Sequence, residues 1–289
     1  MKKILITGAT GNIGAEVIRF LFQQNTMHHV IAGVREINSA QQTLNTYPSL
    51  HYRLFDFAQP ETFDAALTGI DSIFLLRPPQ LADVQKYFAP LIETAVKQGI
   101  TDITFLSVQG VERSSVIPHH KIERLIRQSG LRYCFLRPSY FMQNLTTTLL
   151  YDIKSKQKII LPAGRAKFNW VDTANIGEVA ASILNNFERF ENQAFDITGY
   201  KNKNFYEVAN ILTDVLGRPI TFESPDPLSY YLLKRREGME TTKILVMIML
   251  HFLPRFQKEP VITRFYEQVT GKQPRSLQEF LEQSRSLLL

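Results

Sequence analysis

The sequence predicts an α/β protein: a doubly wound, mainly parallel sheet followed by a smaller, mainly helical C-terminal domain. Three observations predict it. Short apolar runs alternate with helical stretches from Ile4 to Arg137, the pattern of parallel strands joined by right-handed crossovers. The chain opens on a strand that runs straight into three spaced glycines and a helix. From Pro219 onward the alternation gives way to helices separated by irregular, proline-bearing connections.

Ile4, Leu5 and Ile6 suit a buried parallel strand. Gly8, Gly11 and Gly14 follow at a G-x-x-G-x-x-G spacing, and residues 15–23 continue as a helix with an apolar stripe at Val17, Ile18, Phe20 and Leu21. Strand, glycine turn and helix in that order are what a dinucleotide pyrophosphate requires. Gly8 permits the tight turn, Gly11 lets the backbone approach the phosphates, and Gly14 lets the helix pack closely. The helix N-terminus then offers free N–H groups to the anion. Thr10, Asn12 and Ile13 fill the turn and join it as candidate cofactor contacts.

Val30 to Val34 reads as the second strand, with Arg35 at its end. An acidic residue there would accept hydrogen bonds from a ribose 2′-OH and select NAD, whereas a guanidinium pairs with a 2′-phosphate. The sequence therefore favours NADP(H) over NAD(H), with Glu36 as the competing charge. His51 to Phe55 is a third strand; Asp56 either meets the adenine amino group or caps a turn. Residues 61–67 form a short helix, and Ile70 to Leu76 a fourth strand closed by Arg77-Pro78-Pro79, an extended turn. Residues 84–98 read as one amphipathic helix ending at Gly99, and Ile103 to Ser107 as the fifth strand. Ligands of such sheets bind at the carboxyl ends of the strands, near the switch in strand order. That rule collects the glycine turn, Arg35, Arg77, Pro78 and Ser107 into one candidate site.

A helix over 119–128 and a sixth strand, Leu131 to Arg137, come next. Tyr140, Phe141, Met142 and Asn144 follow where a cleft should open, and Phe168 and Trp170 resemble them in kind. Such side chains suit a planar apolar ligand; ordinary core explains them equally well. A helix over 173–185, a strand at 194–197, a helix over 205–216 and four further helices complete the chain. Residues 244–250 are apolar on every side, which fits burial between layers, a lid or a dimer surface.

Composition excludes several classes. An apolar fraction of 44% and a charged fraction of 21% are those of an ordinary globular protein. The one cysteine, Cys134, lies in an apolar run, so no disulfide framework exists, and a cytoplasmic setting is expected. No metal-ligand cluster is visible. The net charge of +6 comes without a nucleic-acid-binding motif. The apolar window 244–253 is too short to span a bilayer. Expected partners are thus a small-molecule substrate or effector and a possible homodimer, with neither nucleic acid nor membrane.

The motifs carry a family likeness. Thr7-Gly8-Ala9-Thr10-Gly11-Asn12-Ile13-Gly14, Val34-Arg35, Asp56 and Pro78-Pro79 begin it. His119-x-x-x-Glu123, Ser129-Gly130-Leu131-Arg132-Tyr133, Leu136-Arg137-Pro138 and Phe141-Met142-x-Asn144 continue it, with Asp172-Thr173-Ala174-Asn175-Ile176 and Gly271-x-x-Pro274-Arg275-Ser276-Leu277 beyond. Together they resemble the NmrA-like group of atypical short-chain dehydrogenases/reductases. The resemblance implies a Rossmann domain, placed at 1–190, and a smaller domain at 191–289. Residues 139–168 would contribute to a cleft between them, and the strand Ala194–Ile197 would return to either domain. It also implies a protein that either reduces apolar quinones, carbonyls or dyes with NADPH, or senses the nicotinamide redox state without turnover.

The usual short-chain reductase carries Tyr-x-x-x-Lys on the helix after the fifth strand. Here that helix holds His119-His120-Lys121, and no tyrosine lies between Gly110 and Leu131. Tyr230 and Lys234 show the spacing, but they lie far downstream in a chain with 11 tyrosines. Without the tyrosine, hydride must pass to an acceptor that needs little acid help. His119 is then the candidate to orient the nicotinamide ribose or donate a proton, unless it is simply a polar residue at a helix start. Lys121 ranks below it, and Glu123, one turn on, is placed to hold it.

Overall fold

The computed structural model describes residues 1–289. The chain packs into two compact units, each assembled from three segments. The first unit is Met1–Pro138, Thr173–Ile197 and Phe265–Lys272; the second is Ser139–Asp172, Thr198–Arg264 and Gln273–Leu289. The units divide differently from a boundary near residue 190: residues 139–172 fall in the second unit, while the strand at 193–197, for which the sequence left either domain open, pairs in parallel with 134–138 in the first.

The first unit begins β1 (Lys3–Thr7), α1 (Gly14–Gln23), β2 (His29–Val34), α2 (Ile37–Thr43) and β3 (His51–Leu54). It continues through α3 (Phe63–Leu67), β4 (Ser72–Leu76), α4 (Val84–Tyr87), α5 (Ala89–Lys97), β5 (Asp102–Leu106), α6 (Pro118–Gln128) and β6 (Arg132–Pro138). The helix expected over 84–98 is two helices, because Pro90 occupies the first turn of α5, lacks an N–H and clashes with a continuous helix. The second unit takes over with β7 (Tyr140–Phe141), α7 (Leu150–Lys156), β8 (Lys158–Ile160) and β9 (Phe168–Val171). The chain returns to the first unit for α8 (Thr173–Asn185) and β10 (Gln193–Ile197). It then supplies the second with β11 (Asn202–Lys203), α9 (Phe205–Leu216), β12 (Thr221–Glu223), α10 (Pro227–Arg236) and α11 (Thr241–Phe252). Helix α12 (Phe265–Thr270) belongs to the first unit, and α13 (Leu277–Gln283) and α14 (Arg285–Leu288) to the second.

The seven strands of the first unit lie in the order β10-β6-β5-β4-β1-β2-β3, all parallel. The order reverses between β1 and β4, which places the glycine turn after β1 at the switch point. Ile4, Leu5, Ile6, Ile73, Phe74, Leu75, Ile103 and Phe105 are buried, as strands covered by helices on both faces demand. Helix α1 packs against α8 through Gly177, where an added Cβ would lie 2.6 Å from Glu16 Cβ and 2.8 Å from its carbonyl carbon. The second unit holds a three-stranded sheet, β11-β9-β7, and a parallel pair, β12-β8. Its helices close over a core that includes Ile153, Trp170, Phe205, Leu212 and Tyr230.

Candidate functional site

The first unit gathers the candidate groups at the carboxyl ends of its parallel strands. Gly8 follows β1 with φ +60°, a conformation that a side chain would strain. Its carbonyl accepts from the Gly11 amide at 2.9 Å and closes the turn. A Cβ at Gly11 would stand 3.2 Å from that carbonyl oxygen, and one at Gly14 only 2.2 Å away. Helix α1 therefore starts as close to the turn as a backbone allows. Ile13, at its N-cap, supplies no side-chain bond to the first turn; the Ala15 and Val17 amides donate to the Gly11 and Ile13 carbonyls at 3.0 and 2.9 Å, which leaves the other amides at this end for an anion. Thr10, Gly11 and Asn12 are exposed. A residue the sequence reading overlooks fixes the mouth: Thr7 Oγ1 donates to the Phe74 carbonyl at 3.1 Å and accepts from the Leu76 amide at 2.9 Å. The hydroxyl pins the ends of β1 and β4 together at the switch point. A threonine just before the first glycine is the signal for it.

Arg35 is exposed at the end of β2 and, like Glu36, forms no ion pair. Asp56, two residues past β3, accepts from the Ala58 amide through Oδ1 at 2.9 Å; this turn-capping bond leaves Oδ2 free. Arg77 is spent locally. Its Nη1 donates to the carbonyls of Pro78, Pro79 and Leu81, each at 3.1 Å, so the guanidinium braces the loop that the two prolines open. Ser107 is buried at the end of β5, with its amide donating to the Leu136 carbonyl at 2.7 Å and its hydroxyl bonded to nothing.

His119, in the first turn of α6, meets this group through Arg77, whose Nε donates to His119 Nε2 at 3.4 Å. Burial, with the Arg77 charge adding to it, pushes the imidazole down to about 3. The ring is neutral near pH 7, which favours the ribose-orienting role over the proton-donor role among the two expected of it. With Nε2 accepting, the assigned tautomer carries its proton on Nδ1. Glu123 does not hold His119; its carboxylate is bound by Arg137 Nε at 2.9 Å and Nη2 at 2.7 Å. Lys121 is exposed and lines a shallow surface depression with Asp83, Gln85 and Arg124, where it has no catalytic partner.

The remaining candidates belong to the second unit. Tyr140 donates its hydroxyl to His251 Nε2 at 2.9 Å, while His251 Nδ1 bonds the Met247 carbonyl at 2.7 Å. Burial raises the tyrosine and lowers His251 to about 4, so both are neutral. Met142, Phe168 and Trp170 are core: they are 2%, 5% and 2% exposed, and Trp170 Nε1 is satisfied by the Lys203 carbonyl at 3.1 Å. Of the two readings the sequence allows, a ligand cleft or ordinary core, their packing favours core. Trp170 and Phe205 pack edge to face with Tyr140, and Phe168 lies tilted against it, around His251, and it is this aromatic cluster that their spacing encodes. Phe141 and Asn144 remain partly exposed. Tyr230 and Lys234 are buried in the second unit. Lys234 Nζ is buried between Asp152 at 2.5 Å and Glu237 at 2.9 Å. No group of His, Cys, Asp and Glu is arranged to hold a metal ion.

Comparison with known proteins bears on the family and the fold. The NmrA-like family model matches residues 1–234. Prestalk A differentiation protein A of Dictyostelium discoideum is 30% identical over 98% of this chain and 92% of its own length. An NAD(P)H azoreductase of Xenophilus azovorans is 31% identical over 76% of each chain. The crystal structure of a Citrobacter sp. triphenylmethane reductase complexed with NADP(H) superposes with a TM-score of 0.86 at 22% identity, covering 97% of this chain and 99% of that one. The chain belongs to the NmrA-like family.

Proposed function

We propose that this protein is an NADPH-dependent reductase that transfers hydride to an apolar quinone, carbonyl or dye-like acceptor. The observation that carries the reading is the glycine turn at the β1/β4 switch point. A Cβ at Gly14 would collide with the Gly8 carbonyl at 2.2 Å, and α1 begins there without a side-chain cap. That combination is a diphosphate cradle. In it the turn from Thr10 to Gly14 holds the pyrophosphate. The unpaired Arg35 takes a 2′-phosphate, and the free Asp56 oxygen accepts from the adenine amino group. Arg77 and Pro78 shape the adjoining loop, Ser107 adds a hydroxyl, and the Nδ1–H of His119 is left for the nicotinamide ribose. The azoreductase and the triphenylmethane reductase support the same reading through the coenzymes in their names.

The bound nicotinamide supplies the hydride. The chain's residues bind and orient; none of the candidates stands ready to release a proton at neutral pH. The acceptor therefore takes its proton, where it needs one, from water. A quinone gains hydride and then a proton to give the hydroquinone; a cationic dye gains hydride alone and becomes neutral. NADPH oxidation against quinones, triphenylmethane dyes and unactivated ketones tests the proposal. Turnover of the first two and none of the third is expected.

A second reading is favoured by the missing Tyr-x-x-x-Lys together with the neutral His119: a regulator that binds the nicotinamide coenzyme and signals by conformation. The Dictyostelium relative is named for differentiation and not for a reaction. Tight coenzyme binding with no acceptor reduced establishes this reading over the first.

A further inference from the structure

Helix α11 presents an apolar face on each side. Ile244, Met247 and His251, spaced i, i+3, i+7, are buried in the second unit. The opposite arc is also apolar: Leu245, Val246, Met249 and Leu250 are 54%, 49%, 45% and 49% exposed. The chain extends that arc with Leu253 and Phe256, the latter 75% exposed. At 100° per residue the four α11 positions share one arc, and Leu253 and Phe256 follow in the 3-10 turn that succeeds the helix. An exposed apolar surface of this kind marks an interaction site.

Charge decides what occupies it. The first unit carries 16 Lys and Arg against 16 Asp and Glu, and the second 17 against 11, so the whole excess of +6 resides on the unit that bears the stripe. Five exposed cations, Arg235, Arg236, Lys243, Arg255 and Lys258, flank it in sequence against three exposed anions, Glu237, Glu240 and Glu259, so the rim is net positive. Lys243 lies at the border of the stripe by helical angle, and Arg255 rests 5.1 Å from the Phe252 ring. Two copies meeting on this face would bring like charges together at the rim. An anionic lipid surface offers apolar depth to the stripe and negative headgroups to the rim. No helix is long and apolar enough to cross a membrane, which leaves interfacial binding as the mode. We infer that α11 and the turn after it dock the protein onto an anionic membrane surface. It goes beyond the sequence expectation of no membrane partner, which rested on the absence of a spanning segment, and it stands whether or not the reductase reading holds.

Sedimentation of the full-length protein with phosphatidylcholine vesicles, with and without phosphatidylserine, tests the inference. Binding is expected only with phosphatidylserine, falling as salt is raised. Lys243→Gln should weaken it roughly fivefold, and Leu250→Glu should abolish it. Both positions are exposed, and unchanged melting curves confirm that the variants fold. Absence of binding, or binding indifferent to both substitutions, overturns the inference. So does a concentration-dependent dimer that Leu250→Glu dissociates in the absence of vesicle binding, which assigns the face to a second copy.

Discussion

Replacing Gly14 by alanine tests the cradle at its tightest point. The new Cβ would lie 2.2 Å from the Gly8 oxygen, 2.7 Å from the Gly8 carbonyl carbon and 2.9 Å from Ala9 Cα. Carbon contacts settle near 3.5 Å, so α1 must retreat by roughly 1 Å. It has little room to do so, because Gly177 of α8 already closes on Glu16 at a distance that would not admit a methyl group. Overpacking costs about 1–3 kcal/mol. Backbone on both sides of α1 places this case at about 3 kcal/mol, a fall in Tm of roughly 6–12 °C. Gly11→Ala is the informative companion. Its Cβ meets only the Gly8 oxygen, at 3.2 Å, so stability should drop by less than about 1 kcal/mol. The methyl group nonetheless stands where phosphate must approach. Circular dichroism melts and titration calorimetry with NADPH should separate the two: Gly14→Ala loses stability and binding, whereas Gly11→Ala loses binding alone. A Gly14→Ala protein that melts with wild type, or a Gly11→Ala protein that binds as wild type does, refutes the cradle.

Other expectations follow from the same geometry. Arg35→Glu removes a charge-assisted contact worth about 1.5–3 kcal/mol from NADPH and should leave NADH nearly untouched; equal loss of both removes the basis for NADP(H) preference. His119 and His251 are held neutral, at about 3 and about 4 in the folded protein, against roughly 6.5 unfolded. The unfolded chain therefore takes up protons that the folded one refuses: stability is intact above about pH 6.5 and falls with acid by up to about 1.4 kcal/mol per pH unit per histidine. His119→Gln should flatten that acid limb by about half in pH-dependent urea unfolding, and an unaltered limb would show that the ring is not buried neutral. Lys234→Met, which deprives the buried Asp152 and Glu237 of their shared amine, should cost about 3 kcal/mol and leave turnover in the cold unchanged. Lost turnover at full stability would return Tyr230 and Lys234 to the chemistry.

The parts of this molecule that are legible in sequence are those fixed by short-range pattern. Ile4 to Gly14 dictates strand, turn and helix because each step depends on neighbours within a few residues, and Gly217 and Gly130 mark helix ends by the positive φ they adopt. Pro90 is equally local, but its effect on a helix over 84–98 competes with an unbroken amphipathic stripe, which is the stronger visual signal. What the pattern does not carry is partner choice over distance. Nothing near Gln193 announces Cys134 as its strand neighbour, so the three-segment build of each unit is hidden. Glu123 stands one turn from His119, yet the Arg137 guanidinium, 14 residues on, outcompetes the imidazole for it. Trp170 and Phe168 read identically whether they face a ligand or a core; only the ring of aromatics around His251 distinguishes the two.

The electrostatics of the candidate groups bear on which acceptor is compatible with this fold. None of the hydroxyls or imidazoles proposed for the reaction is placed to give up a proton. His119 receives a bond from Arg77 on the nitrogen that would otherwise be protonated, and the cation beside it opposes a second positive charge. The Tyr140 proton points to His251 Nε2, and burial keeps it there. The Ser107 hydroxyl has no relay partner, so releasing its proton would strand a buried alkoxide. An unactivated ketone reduced against such a set would develop an alkoxide with no acid to meet it. A quinone spreads the incoming charge over its ring until water protonates it, and a cationic dye develops no negative charge at all. On the reductase reading, the absence of a tyrosine–lysine dyad from α6 would thus restrict substrate class: hydride transfer would be confined to acceptors that stabilise the electron pair themselves.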